Sequence, residues 1–196
     1  MKARKMAMAL TAVILLPGCL VSSLHPLFTE ADLVFEPALL GTWRAAEKKV
    51  TFERTDQKSY RITYVELGRS GDGSPAPPNP SVLEGRLGRL GPSLFLDTFV
   101  TEKLPLPGAL GLHLVPVHLF WRLRMDGDNL FIERFAPAWC KDAAPPAGIP
   151  IRLECVENDW PLLTAPTPDL QAFLTQHAAD PGLFDPFGPG PFQREK

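Results

Sequence analysis

Apolar and polar residues alternate with a period of two along much of this chain, the pattern of half-buried β-strands. In KVTFER (49–54) and KSYRITYVE (58–66) the alternation is clear. Tyr60, Ile62 and Tyr64 share one face there, and Arg61 and Thr63 take the other. LLGTWRA (39–45) precedes these runs. SVLEGRLGRL (81–90) and SLFLDTFV (93–100) follow, joined by a turn at Gly91-Pro92. LHLVPVHLFWRLRM (112–125) and NLFIERF (129–135) flank DGDN, a hairpin signal. IRLECV (151–156) and PLLTA (161–165) are the last strand-like runs. GRSGDGSPAPPNP (68–80) is a long loop, KLPLPGALG (103–111) breaks the pattern again, and PAWCKDA (137–143) suits a short helical turn.

The period changes once, near the end. TPDLQAFLTQHAAD (167–180) predicts a helix, with Thr167 as cap, Pro168 in the first turn and Asp169 at the positive helix end. Leu170, Phe173, Leu174 and His177 fall on the face that should lie against the sheet. About eight short strands followed by a helix give a mainly β chain. An antiparallel β-barrel or strongly bent sheet with a C-terminal α-helix is the natural way to close such a set. The expected organisation is a leader over 1–18, a tether over 19–38, the β domain with its helix over 39–180 and a flexible tail over 181–196, where PFGPGPFQREK offers no regular pattern.

The first residues change the picture. Lys2, Arg4 and Lys5 precede Met6–Leu16, an apolar run of 11 residues. A membrane-spanning helix needs about 20 residues, whereas a secretory signal has a basic start and a short apolar segment. Pro17 and Gly18 end the run, and Cys19 follows. Leu16-Pro17-Gly18-Cys19 resembles the lipobox of bacterial lipoproteins, with Pro17 standing where Ala, Ser or Thr is usual. The resemblance implies cleavage between Gly18 and Cys19, a diacylglycerol on the Cys19 sulfur, and acylation of the new amine. Two or three acyl chains hold a protein stably on a membrane. Leu20 stands where an Asp would resemble an inner-membrane retention signal, so the expected site is the outer membrane, facing the periplasm.

Loss of residues 1–18 leaves 178 residues, with 17 basic and 22 acidic side chains and a net charge of about −5. One domain of that size is expected. The charge argues against nucleic acid as a partner. The 22 prolines and 15 glycines favour β structure with much loop over a helical bundle. Cys140 and Cys155 are an even pair, and in an exported protein they are expected to form a disulfide closing a loop of about 15 residues.

Gly41-Thr42-Trp43 resembles the G-x-W of lipocalins and related barrels. In that family the Trp plugs the closed barrel end and stacks on an Arg from a late strand. The resemblance implies the same structural role for Gly41 and Trp43, with Arg122, Arg124, Arg134 or Arg152 as the stacking partner. It extends to strand order over roughly residues 39–180. An ordinary core Trp in any β-sheet is an equally good reading of the three residues.

No catalytic set emerges, and no enzyme activity, cofactor or metal is expected. His113 and His118 are five apart in one strand-like run, which sets them on opposite faces unless Pro116 introduces a bulge. His25 and His177 have no ligand spacing beside them. Asp126 and Asp128 lack the remaining ligands of a calcium loop, and a turn accounts for them. GRSGDG is not a nucleophile elbow, and GRLGRLG (85–91) is neither a P-loop nor a dinucleotide fingerprint, because no helix follows. Asp97 and Glu133 are carboxylates that nothing in the sequence places together. Leu112, Leu114, Val117, Leu119, Phe120 and Trp121 must fill a core or line a cavity, and an eight-stranded barrel can do either.

Two functions remain. One is a membrane-anchored, non-catalytic module that binds an apolar or amphipathic small molecule. The other is a structural lipoprotein that docks on another cell-envelope protein, through surfaces such as the Pro-rich loops at 71–80 and 141–150.

Overall fold

The computed structural model describes residues 20–68, 77–100, 114–136, 151–156 and 160–196. Its strands, in chain order, are β1 (Ser22–Ser23), β2 (Leu33–Val34), β3 (Gly41–Ala45), β4 (Lys48–Arg54), β5 (Ser59–Glu66), β6 (Ser81–Leu90), β7 (Ser93–Phe99), β8 (His118–Asp126), β9 (Asn129–Phe135), β10 (Leu153–Val156), β11 (Trp160–Leu163), β12 (Phe184–Pro186) and β13 (Phe192–Arg194). The helix α1 spans Thr167–His177.

β3 to β9 form an antiparallel meander in which each strand pairs with the next. β13 then pairs with β9 on one side and β3 on the other, which closes an eight-stranded antiparallel barrel. Inward-facing side chains alternate with outward ones: Val50 and Phe52, Tyr60 and Ile62, Leu94 and Leu96, Leu130 and Ile132 all point in. β7 is buried on both faces, which is why SLFLDTFV has no clean alternation. Its outer residues Phe95 and Asp97 lie beneath other parts of the chain.

Two tight turns work as the sequence suggests. Gly91 and Gly127 each take positive φ (57° and 58°) at the first loop position, where glycine is unstrained. The β3–β4 turn places Ala46 at the equivalent position with φ 49°. An L-residue with a Cβ is strained there. Ala46→Gly is therefore expected to raise stability by about 0.5–1 kcal/mol, read as a higher urea midpoint at unchanged slope.

Two expectations about the chain ends are corrected. Residues 20–38 are no tether. Val21, Leu27, Phe28 and Leu33 are buried against the outer wall of the barrel, and β2 pairs with β6. Burying each such side chain gains about 1.5–3 kcal/mol, enough to hold an irregular segment in place. A Cβ at Gly88 would collide with the Phe28 ring, so this glycine lets the ring lie on the wall. Residues 181–196 are no loose tail either. They supply β12, which pairs with the end of β9, and β13, the closing strand. Phe192, which opens β13, is fully buried inside the barrel.

β10 and β11, expected as the last strands, form a hairpin outside the closed barrel; it joins the edge of β8 through β1. The helix packs Leu170, Phe173 and Leu174 on the outer wall with Phe28, Phe95, Phe120, Phe135 and Phe184. Pro166, not Thr167, is its N-cap residue. The Thr167 hydroxyl donates instead to the Pro26 carbonyl (2.6 Å), which ties the helix to the N-terminal segment. Gln171 adds bonds to the Leu27 carbonyl and to Asp32.

Candidate functional site

Three constellations carry the polar and aromatic chemistry of the described residues: two barrel ends and one pair on the outer wall. The first end is built from Trp43. Its ring is fully buried, and its Nε1 donates to the Leu39 carbonyl (2.9 Å) at a 3₁₀ turn, Pro37–Leu39, that covers the opening. The Arg194 guanidinium lies 4.0 Å from the Trp43 ring centroid and donates to the carbonyls of Leu40 and Ala38. Tyr60 binds Glu36 of the same covering segment and stacks on Phe35 (5.0 Å). This end is closed.

The stacking arginine is therefore Arg194, and none of Arg122, Arg124, Arg134 or Arg152. The register puts Arg194 directly opposite Trp43 across β13 and β3. Arg122 instead holds Glu133 (2.6 Å) and the Ala178 carbonyl on the outside, and Arg124 covers Phe131. Arg134 approaches Asp185 (3.6 Å). Gly41, with φ 112°, sits where a Cβ would meet the Arg194 side chain at 3.2 Å. Arg194→Lys keeps the charge but loses the planar contact and the paired carbonyl bonds. A loss of about 1–2 kcal/mol is expected in urea unfolding.

The second end is plugged by Phe187. Its ring packs edge-on against Trp121 (4.9 Å), beside Tyr64 (5.6 Å), and stacks on Phe192 (6.3 Å). Lys48 lies over the same ring and donates to the Phe187 carbonyl (2.8 Å). Burial, reinforced by the Glu66 carboxylate, pushes the Tyr64 hydroxyl up to about 12, so it stays neutral. Trp121 donates to the Thr98 hydroxyl (2.8 Å). Between the ends, Phe52, Ile62, Leu87, Leu96, Leu123 and Leu130 fill the middle. Among the described residues the barrel interior is packed.

The third constellation lies on the outer wall. Asp97 is buried and pairs with His118 Nδ1 (2.8 Å), and its other oxygen accepts the Leu27 N–H (2.8 Å). Burial pushes its carboxyl above the ordinary range, outweighing the hydrogen bonds from His118 and Leu27 and the Arg86 charge, which act the other way. Ser23 is the register partner of His118, so Ser, His and Asp adjoin. They are not a nucleophilic triad. Ser23 is fully buried, and its hydroxyl donates to the His25 carbonyl (2.8 Å) while accepting the His25 N–H. The set fastens the N-terminal segment to β7 and β8.

Asp97 and Glu133 are not brought together: Asp97 pairs with His118 and Glu133 with Arg122. Among the described residues no group of three or more His, Cys, Asp or Glu is placed to hold a metal ion. No described helix is long and apolar enough to cross a membrane. Gly18, Cys19, His113 and Cys140 lie outside the described residues; Cys155 has its backbone in β10, and the expected Cys140–Cys155 disulfide is likewise outside them. An open cleft of about 490 Å³ lies where the β6–β7 turn meets the far end of β8, lined by Arg89, Arg122, Arg124 and Glu133 among others.

The sequence search missed Arg194 and the Asp97–His118 pair. A signal existed for each: Phe192 and Arg194 sit two apart, and Asp97 is the one charge in an apolar run. Fold and site together define a small antiparallel β-barrel, plugged at both ends, with a helix on its wall. No protein-family model matches the chain, and neither a curated protein nor a solved structure matches it.

Proposed function

We propose that this chain is a bacterial lipoprotein, held by acyl chains on Cys19 at the outer membrane and facing the periplasm. Its barrel is non-catalytic and acts through its outer surface, as a structural module that docks on another cell-envelope protein. The packed interior is the observation that carries this reading. Among the described residues, Trp43 and Phe187 occupy the two ends and Phe52, Ile62, Leu87, Leu96, Leu123 and Leu130 the middle, so making room there for a small apolar ligand would mean rebuilding that core, which costs several kcal/mol. The cleft supports the choice, because Arg89 and Arg124 stand exposed at it and suit an acidic protein segment. The Cys140–Cys155 disulfide belongs to the same reading, since an exported domain meets oxidising conditions.

The test is mass spectrometry of the protein purified from membranes in mild detergent. The expected mass begins at Cys19 and carries acyl chains, with no further lipid released stoichiometrically on denaturation. A stoichiometric apolar molecule would establish a carrier instead. An unmodified chain beginning at Met1 would overturn the membrane location.

A further inference from the structure

The cleft at the β6–β7 turn holds arginines of two kinds. Arg122 is committed. It holds Glu133 (2.6 Å) and the Ala178 carbonyl and lies over the Phe184 ring, so it builds a wall and neutralises the carboxylate in the lining. Arg124 is exposed, and among the described residues it has no ion-pair partner. Its guanidinium lies over the Phe131 ring, 3.6 Å from the centroid, and Phe131 is its register partner across the β8–β9 hairpin. A ring in that place takes the face of the guanidinium and leaves its in-plane N–H fork open. The fork is therefore positioned before any ligand arrives, which lowers the entropy cost of binding. Arg89 reaches Glu36 only at 3.8 Å, too far for a hydrogen bond, and the other Glu36 oxygen accepts the Ala38 N–H.

Spacing and charge select the occupant. β6 and β8 carry Arg89 and Arg124 on either side of β7, two strand spacings or about 10 Å apart. Alternate side chains of an extended peptide lie about 7 Å apart, and the long arginine stems span the difference. Pro92 and Met125 add apolar surface to the same lining, and about 490 Å³ is room for several peptide side chains. A membrane fits less well, because sites for anionic lipid surfaces gather about four to eight basic residues, and only Arg89 and Arg124 are uncommitted in this lining. A phosphate dianion would also face Glu133 and Glu36. Two carboxylates on one face of an extended peptide, flanked on that face by apolar side chains, match both kinds of lining.

Building on the docking role proposed above, we infer that the cleft receives an extended segment of an envelope protein whose carboxylates stand two residues apart. One carboxylate meets the Arg124 fork and the next meets Arg89, while a flanking apolar side chain rests on Pro92 or Met125. Phe131 acts through Arg124 as a positioning residue.

The test is fluorescence anisotropy of a fluorescein-labelled peptide, Leu-Ser-Glu-Ser-Glu-Ser-Leu, titrated with the full chain in nonionic detergent. The peptide should bind, and its glutamine version should not. Arg124→Gln and Arg89→Gln should each weaken binding about tenfold, with unfolding midpoints unchanged. Arg124→Lys should weaken it too, since the planar fork is lost. Arg61→Gln removes an exposed arginine from β5 and should change binding by less than about twofold. A peptide that fails to bind, or binds equally well with glutamine, overturns the cleft as the docking site. Equal losses in Arg61→Gln and Arg124→Gln do the same. So does displacement of the peptide by dihexanoyl phosphatidylglycerol at equal concentration, which would make the cleft a headgroup site. Photo-cross-linking in cells separates this failure from failure of the docking role. Pro92→benzoylphenylalanine should give a protein adduct. An adduct only from Thr63→benzoylphenylalanine, on β5, overturns the cleft and keeps docking. No adduct from either position overturns docking itself.

Discussion

Deleting residues 191–196 is expected to abolish cooperative folding. Those six residues hold β13, the only connection between β9 and β3 among the described residues. Phe192 is fully buried among the interior side chains, and losing such a ring costs about 3–5 kcal/mol. The loss of Arg194 uncovers Trp43 and frees the carbonyls of Ala38 and Leu40, about 1–2 kcal/mol more. The open barrel then exposes two unpaired strand edges. The total approaches the whole stability of an ordinary domain, about 5–15 kcal/mol. Near-ultraviolet dichroism and urea unfolding read the outcome: no fixed tertiary signal and a flat, non-cooperative transition. Deleting only residues 195–196 is the control. It removes the Glu195 backbone bond to Thr42 and two ion pairs between half-exposed groups, so the midpoint should fall only slightly. An unchanged midpoint after the longer deletion would mean that the barrel closes without β13.

That deletion also marks where the sequence stopped being legible. Long alternating runs show themselves, because each residue of β4, β5 or β9 reports its own face. β13 has three residues between a Gly-Pro run and the end of the chain, so it contains one alternation and no more. Its strand character comes from β9 and β3, which are more than 55 and 145 residues away in sequence. The same holds for residues 21–33. Val21, Leu27, Phe28 and Leu33 follow no period, because they cover a wall that already exists instead of forming a face of their own. Gly41 and Trp43 pointed to a plugged end, yet the partner arginine was out of reach. Choosing Arg194 required the register between the first and last barrel strands. The expectation for Cys19 rests on local sequence alone, and that residue lies outside the described ones.

Asp97→Ala should cost about 2–4 kcal/mol, although burial disfavours the ionised form of Asp97. The variant strands the buried Leu27 N–H and leaves His118 without its partner, and each stranded polar group costs about 1–3 kcal/mol. The N-terminal segment from Val21 to Leu33 then loses its polar anchor on β7, and its buried apolar side chains must hold it alone. Asp97→Asn keeps an acceptor for Leu27 and should cost much less, by an amount that depends on pH. Burial raises the Asp97 carboxyl in the fold above its unfolded value. An acid raised in this way adds stability that is fully present below the unfolded value, near 3.9, and is lost as pH rises through the folded value. The wild type should therefore lose ground to Asp97→Asn as pH climbs from about 4, and the difference should level off once Asp97 is ionised in both states. Hydrogen bonds hold Asp32 and Asp56 below the usual carboxylate range, so they contribute the opposite slope, and both variants share it. Urea midpoints of the two proteins across this window isolate Asp97. A difference that stays constant with pH, or moves the other way, would show that His118 and Leu27 stabilise the carboxylate more than burial opposes it.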